Sequence, residues 1–308
     1  MRTHSVVCFV VLALIALTTV SVGAGAQEPM RATVDANSLF VKAPGVEVAE
    51  YRFGDVPFKP YLRSLTGPNG LNVLLDAPHD HLHHHALMFA VAVDGVNFWE
   101  ETPTAGRQKH LEFTNVVEGE DHPHGVGFAE RLEWVAPSEE KLLSERRTVF
   151  VTRGQSSGTT FLTWESHLTV PEGKSSVTLT GSHYFGLGLR FIRAMDSKGA
   201  FRNADNEPGT VFRGEERLVR SNWCAYTAHV DGEDVTVAMF GHPENPRSPT
   251  TWFTMAQPFA YLSATLGLHE KPLEIVEGKP LTLRYALWLW GETVESEEID
   301  RLYQRWSR

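Results

Sequence analysis

Apolar and polar side chains alternate along most of this 308-residue chain. The clearest run extends from Leu281 to Trp290, where four leucines and a tyrosine alternate with threonine, arginine, alanine and two tryptophans. A period of two is typical of β-strands, because successive side chains point to opposite faces of a sheet. Shorter runs of the same kind predict further strands at residues 45–51, 85–93, 147–153, 159–170, 175–185, 235–240 and 259–266.

Turn residues, not helices, separate these runs. Short segments rich in glycine, proline and asparagine, such as residues 67–70 and 171–173, lie between them. Because no helical pattern of ten or more residues alternates with the strands, a doubly wound α/β fold is not expected. The pattern predicts an all-β protein that forms a large antiparallel β-sandwich.

One helix is predicted, at the C-terminus. An apolar stripe with the spacing i, i+3, i+4 and i+7 is formed by Ile299, Leu302, Tyr303 and Trp306. Glutamates lie near the start of this segment and arginines near its end, which matches the helix dipole. We therefore expect an amphipathic C-terminal helix that covers part of a sheet.

The N-terminal segment has the features of a secretory signal peptide. Arg2 precedes the apolar stretch 6–20, and small residues follow. An apolar stretch of roughly 15 residues is short for a membrane span. We expect a signal peptide at residues 1–26, a polar and weakly patterned lead-in at 27–44, and a single domain at 45–308. The expected location is the periplasm or the extracellular space.

Composition argues against several classes of function. Asp and Glu number 38 and Lys and Arg 28, and this acidic balance is not typical of nucleic-acid binding. No segment after the signal peptide is long and apolar enough to predict a membrane span. Only Cys224 remains after signal-peptide removal, so neither internal disulfides nor cysteine-ligated metal sites are expected. P-loop and dinucleotide-binding motifs are absent.

Histidines are concentrated in one short segment. Residues 79–85 read His-Asp-His-Leu-His-His-His, so five of the seven positions are histidine. Imidazole titrates near neutral pH and binds metals, which makes such a cluster typical of a catalytic or metal site. A backward extension of the predicted strand 85–93 would place alternate side chains on opposite faces. The side chains expected on one face are His81, His83 and His85, and those expected on the other are Asp80 and His84.

The first interpretation of this cluster is catalytic. His81, His83 and His84 would supply acid–base groups, and Asp80 would orient one imidazole or act as a partner base. His242, which begins a proline-rich loop, is a further catalytic candidate.

The second interpretation is a metal site. His81 and His83 would bind a divalent ion, either Zn²⁺, Cu²⁺ or Fe²⁺, with His110 or His242 as a remote ligand. A cupin site also uses His-x-His on a strand, but it would want a glutamate shortly after the pair, where this chain has apolar residues. The sequence therefore leaves the identity of the cofactor open.

Further residues are candidates for binding the substrate. Arginines can hold a carboxylate or sulfate through paired hydrogen bonds, and tryptophans can stack on a sugar ring. Loops on a rigid scaffold often carry such groups, and residues 241–252 form a proline-rich loop of this kind. The predicted substrate-binding residues are Trp99, His110, Arg190, Trp223, Asn245, Arg247 and Trp252.

Five motifs together resemble a known family. They lie at residues 80–86, 97–99, 106–110, 222–226 and 242–252. They are similar to the bacterial family labelled "methane oxygenase PmoA", and the resemblance extends from about residue 51 to residue 306. It implies an exported β-sandwich protein that looks like the galactose-mutarotase supersandwich. It does not imply methane oxidation, because the membrane subunit of that enzyme needs several spanning helices.

The sequence therefore favours an exported carbohydrate-active enzyme that uses the histidine cluster as a hydrolase, lyase or epimerase. Its partner would be a carbohydrate or another small molecule, with no nucleic acid. The alternatives are a metal-binding, cupin-like enzyme or carrier, and a glycan-binding β-sandwich without catalysis.

Overall fold

The computed structural model describes residues 29–117, 125–154 and 158–308, so the predicted signal peptide at 1–26 lies outside the described residues. The strands, numbered in chain order, are β1 (Arg31–Val34), β2 (Ser38–Ala43), β3 (Val46–Arg52), β4 (Tyr61–Leu65), β5 (Leu87–Ala90), β6 (Ala92–Val93), β7 (Val96–Asn97), β8 (Arg107–Val117), β9 (Gly125–Val135), β10 (Lys141–Gly154), β11 (Thr159–Thr169), β12 (Ser176–Thr180), β13 (Gly186–Arg190), β14 (Gly199–Asn203), β15 (Thr210–Arg213), β16 (Glu216–Arg220), β17 (Trp223–Val230), β18 (Glu233–Gly241), β19 (Thr251–Met255), β20 (Tyr261–Thr265), β21 (Leu273–Val276) and β22 (Leu281–Trp290). The helical elements are a 3₁₀ turn at Arg193–Met195 and the helix α1 at Ser296–Trp306.

These strands form three antiparallel sheets. A ten-stranded sheet has the order β1-β2-β3-β4-β5-β13-β20-β19-β16-β15. An eight-stranded sheet has the order β14-β17-β18-β22-β11-β10-β9-β8, and a small sheet has the order β21-β12-β6-β7. The predicted all-β class with large antiparallel sheets and one C-terminal helix is confirmed.

The sequence pattern located some strands well and missed others. Strand β22 has the bounds that its alternation predicts, because the alternation continues through all ten positions. Strand β8 was not predicted, and most of its side chains are exposed or half-buried, so no apolar face marks it. Strands β1 and β2 lie in the weakly patterned stretch 27–44, where Leu39 and Val41 are nevertheless buried.

The core lies between the two large sheets. Tyr51 on β3 contacts Phe128 on β9 and Trp164 on β11, with ring centroids 4.8 and 6.4 Å apart. Apolar side chains from both sheets continue this layer as one buried cluster. Burial of these side chains is the main term that favours folding, and Cys224, the cysteine of the described residues, is a free and buried thiol.

A buried arginine joins the two large sheets through this core. Arg147 on β10 donates two hydrogen bonds of 2.9 Å to the carboxylate of Glu145. It also donates to the hydroxyl of Tyr51 at 2.8 Å, the carbonyl of Pro60 at 3.0 Å and the side chain of Gln108 at 2.9 Å. Burial alone would lower the pKa of Arg147, but the charge of Glu145 outweighs it and keeps the guanidinium protonated.

Helix α1 covers the outer side of the eight-stranded sheet. Ile299, Leu302 and Tyr303 are buried in a second apolar cluster. Trp223 on β17 belongs to that cluster, and its indole nitrogen donates to Asp300 at 2.6 Å. The described part of the chain holds no helix with the length and hydropathy of a membrane span.

We expect the substitution Arg147→Met to lower the free energy of unfolding by about 3–5 kcal/mol, because it leaves the Glu145 carboxylate buried without its charged partner. Urea unfolding followed by tryptophan fluorescence measures this. The neighbouring Arg146 is exposed, so Arg146→Met is a matched control that should change stability by no more than about 0.5 kcal/mol. Equal effects of the two substitutions would contradict the role given to Arg147.

Candidate functional site

A tight turn carries the histidine cluster, where the sequence predicts a strand. The His81 amide donates to the Pro78 carbonyl at 2.9 Å, and the His84 amide donates to the His81 carbonyl at 2.9 Å. The Ala77 amide closes the base of the turn by donating to the His84 carbonyl at 2.9 Å. The predicted backward extension of the strand is therefore wrong, because these turn bonds occupy the amides that a β-ladder would need.

The turn groups the imidazoles differently from the predicted alternation of faces. The rings of His81 and His84 are stacked, with centroids 4.5 Å apart. The ring of His83 stands edge-on to that of His84 at 4.7 Å. These three histidines form one cluster, whereas His85 contacts other residues.

His85 anchors the end of the turn in a buried network. Its Nδ1 lies 2.8 Å from Asp76 and its Nε2 lies 2.9 Å from Glu101, while its ring stacks on Tyr61. Lys59 donates to Glu101 at 2.6 Å. Burial lowers the pKa of His85, but the hydrogen bonds to the two carboxylates outweigh it and raise that pKa. His85 therefore has a structural role, since both of its nitrogens are occupied.

His81, His83 and His84 border one cavity of about 230 Å³. The cavity has aromatic, basic and acidic side chains in its wall. The lining residues are His81, His83, His84, Glu100, Tyr184, Arg213, Glu216, Phe253, Met255, Phe259 and Tyr261. Three of the predicted catalytic residues are thus brought together at one concave site.

Two of these histidines lie beside carboxylates. Asp80 lies 3.1 Å from Nδ1 of His81, and Glu100 lies 3.5 Å from Nδ1 of His83. Partial burial would raise the pKa of Asp80, but its hydrogen bond to His81 lowers it. Burial lowers the pKa of His83 despite the opposing charge of Glu100. Neutral pH therefore favours the uncharged imidazole of His83 beside a carboxylate.

His84 is the most deeply buried imidazole of the cluster, with 7% of its surface exposed. Its Nδ1 has no hydrogen-bond partner among the described residues. Burial, followed by the neighbouring imidazoles and Arg190, lowers the pKa of His84 to about 2. The ring therefore stays uncharged, which suits its contacts with Phe259 and Tyr261.

Arg190 lies behind the cavity, not in its wall. Its guanidinium is 3.6 Å from the ring centroid of Phe259, which separates it from the cavity. Its Nη2 is 3.7 Å from Asp80 and 3.9 Å from Asp196. Burial lowers the pKa of Arg190, while these two carboxylates oppose that effect. The structure does not support the predicted contact of Arg190 with a substrate anion. Its charge acts on the histidine turn from the side away from the cavity.

The three tryptophans predicted to stack on a sugar ring are buried in the core. Trp99, Trp223 and Trp252 have no measurable exposure, and none lines the cavity. Trp99 stacks on Phe185 at 5.0 Å, and the indole nitrogen of Trp252 donates to the Ser221 carbonyl at 2.8 Å. Their predicted role is wrong, because a buried ring has no free face for a ligand.

The remaining predicted residues also lie outside the cavity wall. Nδ1 of His110 lies 2.6 Å from Glu130, and its ring packs against Phe53, near the buried hydrogen-bond network of Arg147. Asn245 exchanges two hydrogen bonds of 2.8 Å with the backbone of Arg284.

Two further predicted residues, His242 and Arg247, belong to the proline-rich loop 241–252 and act structurally there. The ring of His242 packs against Trp306 at 5.3 Å. Arg247 donates to three backbone carbonyls, those of Leu266, Gly267 and Pro272. The loop is therefore fastened by these residues and does not bring them to the cavity.

The cavity also contains residues that the sequence did not single out. Glu100, Tyr184 and Glu216 carry polar groups into it, and Tyr261 forms part of its wall. Space for Tyr261 depends on Gly188, since a Cβ at that glycine would lie 2.2 Å from the tyrosine oxygen. Single acidic and aromatic residues in loops and strand ends have no pattern of their own, so only the fold could identify them.

The described residues provide no complete ligand set for the predicted metal site. Within residues 29–117, 125–154 and 158–308, no three His, Cys, Asp or Glu side chains are placed to hold a metal ion. The rings of His81 and His83 are edge-on, with centroids 5.8 Å apart.

Several solved structures are similar in backbone to this chain. The galactosidase domain of an α-galactosidase–sucrose kinase has 9% identity and a TM-score of 0.48, over 86% of this chain and 41% of that one. An α-galactosidase from Lactobacillus brevis has 5% identity and a TM-score of 0.44, over 86% and 40%. A galactose mutarotase related enzyme from Lactobacillus acidophilus has 9% identity and a TM-score of 0.42, over 86% and 99%. The likeness is limited to the general course of the backbone.

No curated protein sequence matches the chain significantly. A family model described as a family of unknown function (DUF6807) matches residues 38–304, which is most of the chain. This description does not include the methane oxygenase label of the family that the motifs resemble. The chain belongs to this family of unknown function, DUF6807.

Proposed function

We propose that this protein is a carbohydrate-active enzyme whose proton-transfer centre is the cavity of His81, His83 and His84. The observation that carries the proposal is the pairing of two imidazoles with carboxylates, Asp80 with His81 and Glu100 with His83, at one small cavity. Such pairs orient an imidazole and adjust its basicity, which is what general acid–base catalysis requires.

His83 is the proposed general base. Its Nδ1 lies 3.5 Å from Glu100 and its ring lines the cavity, so Nε2 is the nitrogen proposed to accept a substrate proton. Because its pKa is lowered by burial, the imidazole is unprotonated at neutral pH and ready to accept. The uncharged ring of His84 beside it provides a rigid surface without adding a competing charge.

The size and charge of the cavity favour a small, uncharged sugar. Its volume of about 230 Å³ is below the range of about 300–1,000 Å³ for pockets of drug-sized ligands, and suits a single ring. Aromatic walls from Phe253 and Phe259 suit the apolar faces of a sugar, while Glu100 accepts hydrogen bonds from hydroxyls. Arg213 is the cation in the wall, and it is already paired with Glu216 at 2.6 Å.

Export is part of the proposal. Its support is the signal-peptide pattern of residues 1–26, which lie outside the described part of the chain. The reaction type within the carbohydrate-active class, whether hydrolysis, elimination or epimerisation, is left for the assay below to decide.

The enzyme proposal is tested by ¹H NMR in D₂O with a panel of neutral mono- and disaccharides. Hydrolysis gives new anomeric signals, elimination gives a vinyl proton, and epimerisation exchanges or moves a ring proton. We expect turnover of at least one sugar, and a fall in kcat of about 10²–10⁴-fold in His83→Gln, because a general base contributes on that order.

His229→Gln is the matched control, since His229 also pairs with a carboxylate, Asp234 at 2.8 Å, but lies exposed and outside the cavity. It should retain wild-type turnover. An absence of any sugar conversion, or wild-type activity in a folded His83→Gln protein, would refute the proposed function.

A second prediction concerns the pH dependence of stability. The pKa of His84 is about 2 in the folded protein and about 6.5 in an unfolded chain, so only the unfolded state binds a proton between these values. Stability from this group is present above pH 6.5 and is lost as the pH falls. Between pH 7.5 and 4.5, urea unfolding should show that His84→Gln loses about 2–3 kcal/mol less than the wild type.

The control for this measurement is His79→Gln, because the His79 side chain is 81% exposed in the same turn. It should lose as much stability as the wild type. If His84→Gln also follows the wild-type curve, the imidazole of His84 is not held uncharged.

A further inference from the structure

A third histidine–carboxylate pair reaches the same cavity from a different part of the fold. Nε2 of His183 lies 2.9 Å from Glu216, and its Nδ1 lies 3.1 Å from the hydroxyl of Ser182. The imidazole is 5% exposed and stacks on Phe212 at 3.7 Å. Neither His183 nor Glu216 belongs to the histidine cluster of residues 79–85, yet Glu216 lines the cavity.

The contacts of His183 determine the direction of its hydrogen bonds. Because the Glu216 carboxylate accepts, Nε2 carries the proton, and Nδ1 of the neutral ring accepts from Ser182. Burial lowers the pKa of His183 and favours this neutral form, although Glu216 opposes the effect. The other charged or titratable groups facing the ring are Arg213, His269 and Tyr184.

Glu216 is therefore held from two sides. His183 donates to its Oε2, and Arg213 donates to its Oε1 at 2.6 Å. Each carboxylate oxygen has a second lone pair, so both can still accept a proton or a hydrogen bond from a ligand. The side chain of Glu216 is 12% exposed, which is the exposure expected of a group in a cavity wall.

Tyr184 also lines the cavity, where the charges of Glu100 and Glu216 both act on it. Burial, followed by the charge of Glu100, raises the pKa of Tyr184, so its hydroxyl stays protonated at neutral pH. A phenol in this state can donate a hydrogen bond to a ligand in the cavity.

The pair of His83 and Glu100 and the pair of His183 and Glu216 come from different parts of the fold. His83 lies in the turn before β5 and Glu100 follows β7, whereas His183 precedes β13 and Glu216 begins β16. In the order of the ten-stranded sheet, β5 and β16 are four positions apart. Glu216 therefore reaches the cavity from an element far from the turn of His83 in the sheet order.

We infer that Glu216, positioned by His183, is a second proton-transfer group of this cavity, acting on a neutral sugar from a wall other than that of His83. The inference rests on the proposed function. In the reactive form, one of the two groups carries a proton and the other does not. One substrate O–H or C–H bond breaks as its proton passes to the unprotonated group, and another forms as the protonated group delivers its proton. The substrate loses one proton and gains one, so the product is an isomer, no water or other co-reactant is consumed, and the two groups exchange protonation states.

The experiment uses the full-length protein and the sugar that the wild type converts in the D₂O assay. Glu216→Gln keeps the hydrogen-bonding shape but cannot exchange a proton. We expect kcat to fall about 10²–10⁴-fold with KM changed less than threefold, and one limb of the pH dependence of kcat to disappear.

Glu215→Gln is the matched control, because Glu215 is the adjacent carboxylate, is 60% exposed and lies outside the cavity wall. It should keep the kcat and the pH profile of the wild type. His183→Gln retains a donor for Glu216 and is expected to lose no more than about tenfold in kcat, with the remaining pH limb shifted.

The outcomes separate this inference from the proposed function. If the wild type converts no sugar, both fail. If the wild type converts a sugar and His83→Gln is impaired, while a folded Glu216→Gln protein keeps the wild-type kcat and pH profile, only the inference about Glu216 is overturned. Circular dichroism verifies that each variant is folded. If Glu216→Gln does not fold, Glu216→Asp replaces it, because this variant retains a carboxylate with a shorter reach. A wild-type pH profile with unchanged kcat in Glu216→Asp would also overturn the inference about Glu216.

Discussion

The buried guanidinium of Arg147 is the constraint on which the sandwich depends. It spans the core between the two large sheets and satisfies the hydroxyl of Tyr51, the carbonyl of Pro60 and the carboxylate of Glu145 at once. A buried ion pair adds little net stability over an apolar contact, but its hydrogen bonds have strict directions. The bonds from Arg147 to Tyr51 and Pro60 therefore constrain how the two sheets face each other, whereas the surrounding apolar side chains supply most of the free energy of folding.

In the candidate site, too, the partners of a buried side chain determine its charge and its role. His85 is buried with two carboxylates and gains a raised pKa, whereas His84 is buried among aromatic rings and has its pKa lowered. Adjacent residues of one turn thus have opposite roles, because one has charged partners and the other has none. The charged network of His85, Glu101 and Lys59 fixes the turn, which leaves His83 and His84 to face the cavity.

Sequence reasoning succeeded where many residues contribute to one signal. The alternation at residues 281–290 extends over ten positions and the apolar stripe at residues 299–306 over eight, and both elements are found as predicted. It failed where one contact decides the outcome. Pro78 and three backbone hydrogen bonds turn the histidine segment away from a strand, and the three candidate tryptophans fill the core because large aromatic side chains gain most from burial.

The sequence alone predicted the all-β fold with large antiparallel sheets and a C-terminal helix, which is confirmed, and it identified the histidine cluster at residues 79–85, which we propose as the centre of the chemistry. Local patterns carry that information, since periodicity and composition do not depend on distant contacts. Only the tertiary structure decided which groups meet that segment. Glu216 is separated from His84 by more than a hundred residues, and sheet pairing brings it to the same cavity, whereas the loop residues Asn245 and Arg247 are bound to the backbone elsewhere. Sheet order depends on how all strands pair at once, and no single segment of sequence encodes it.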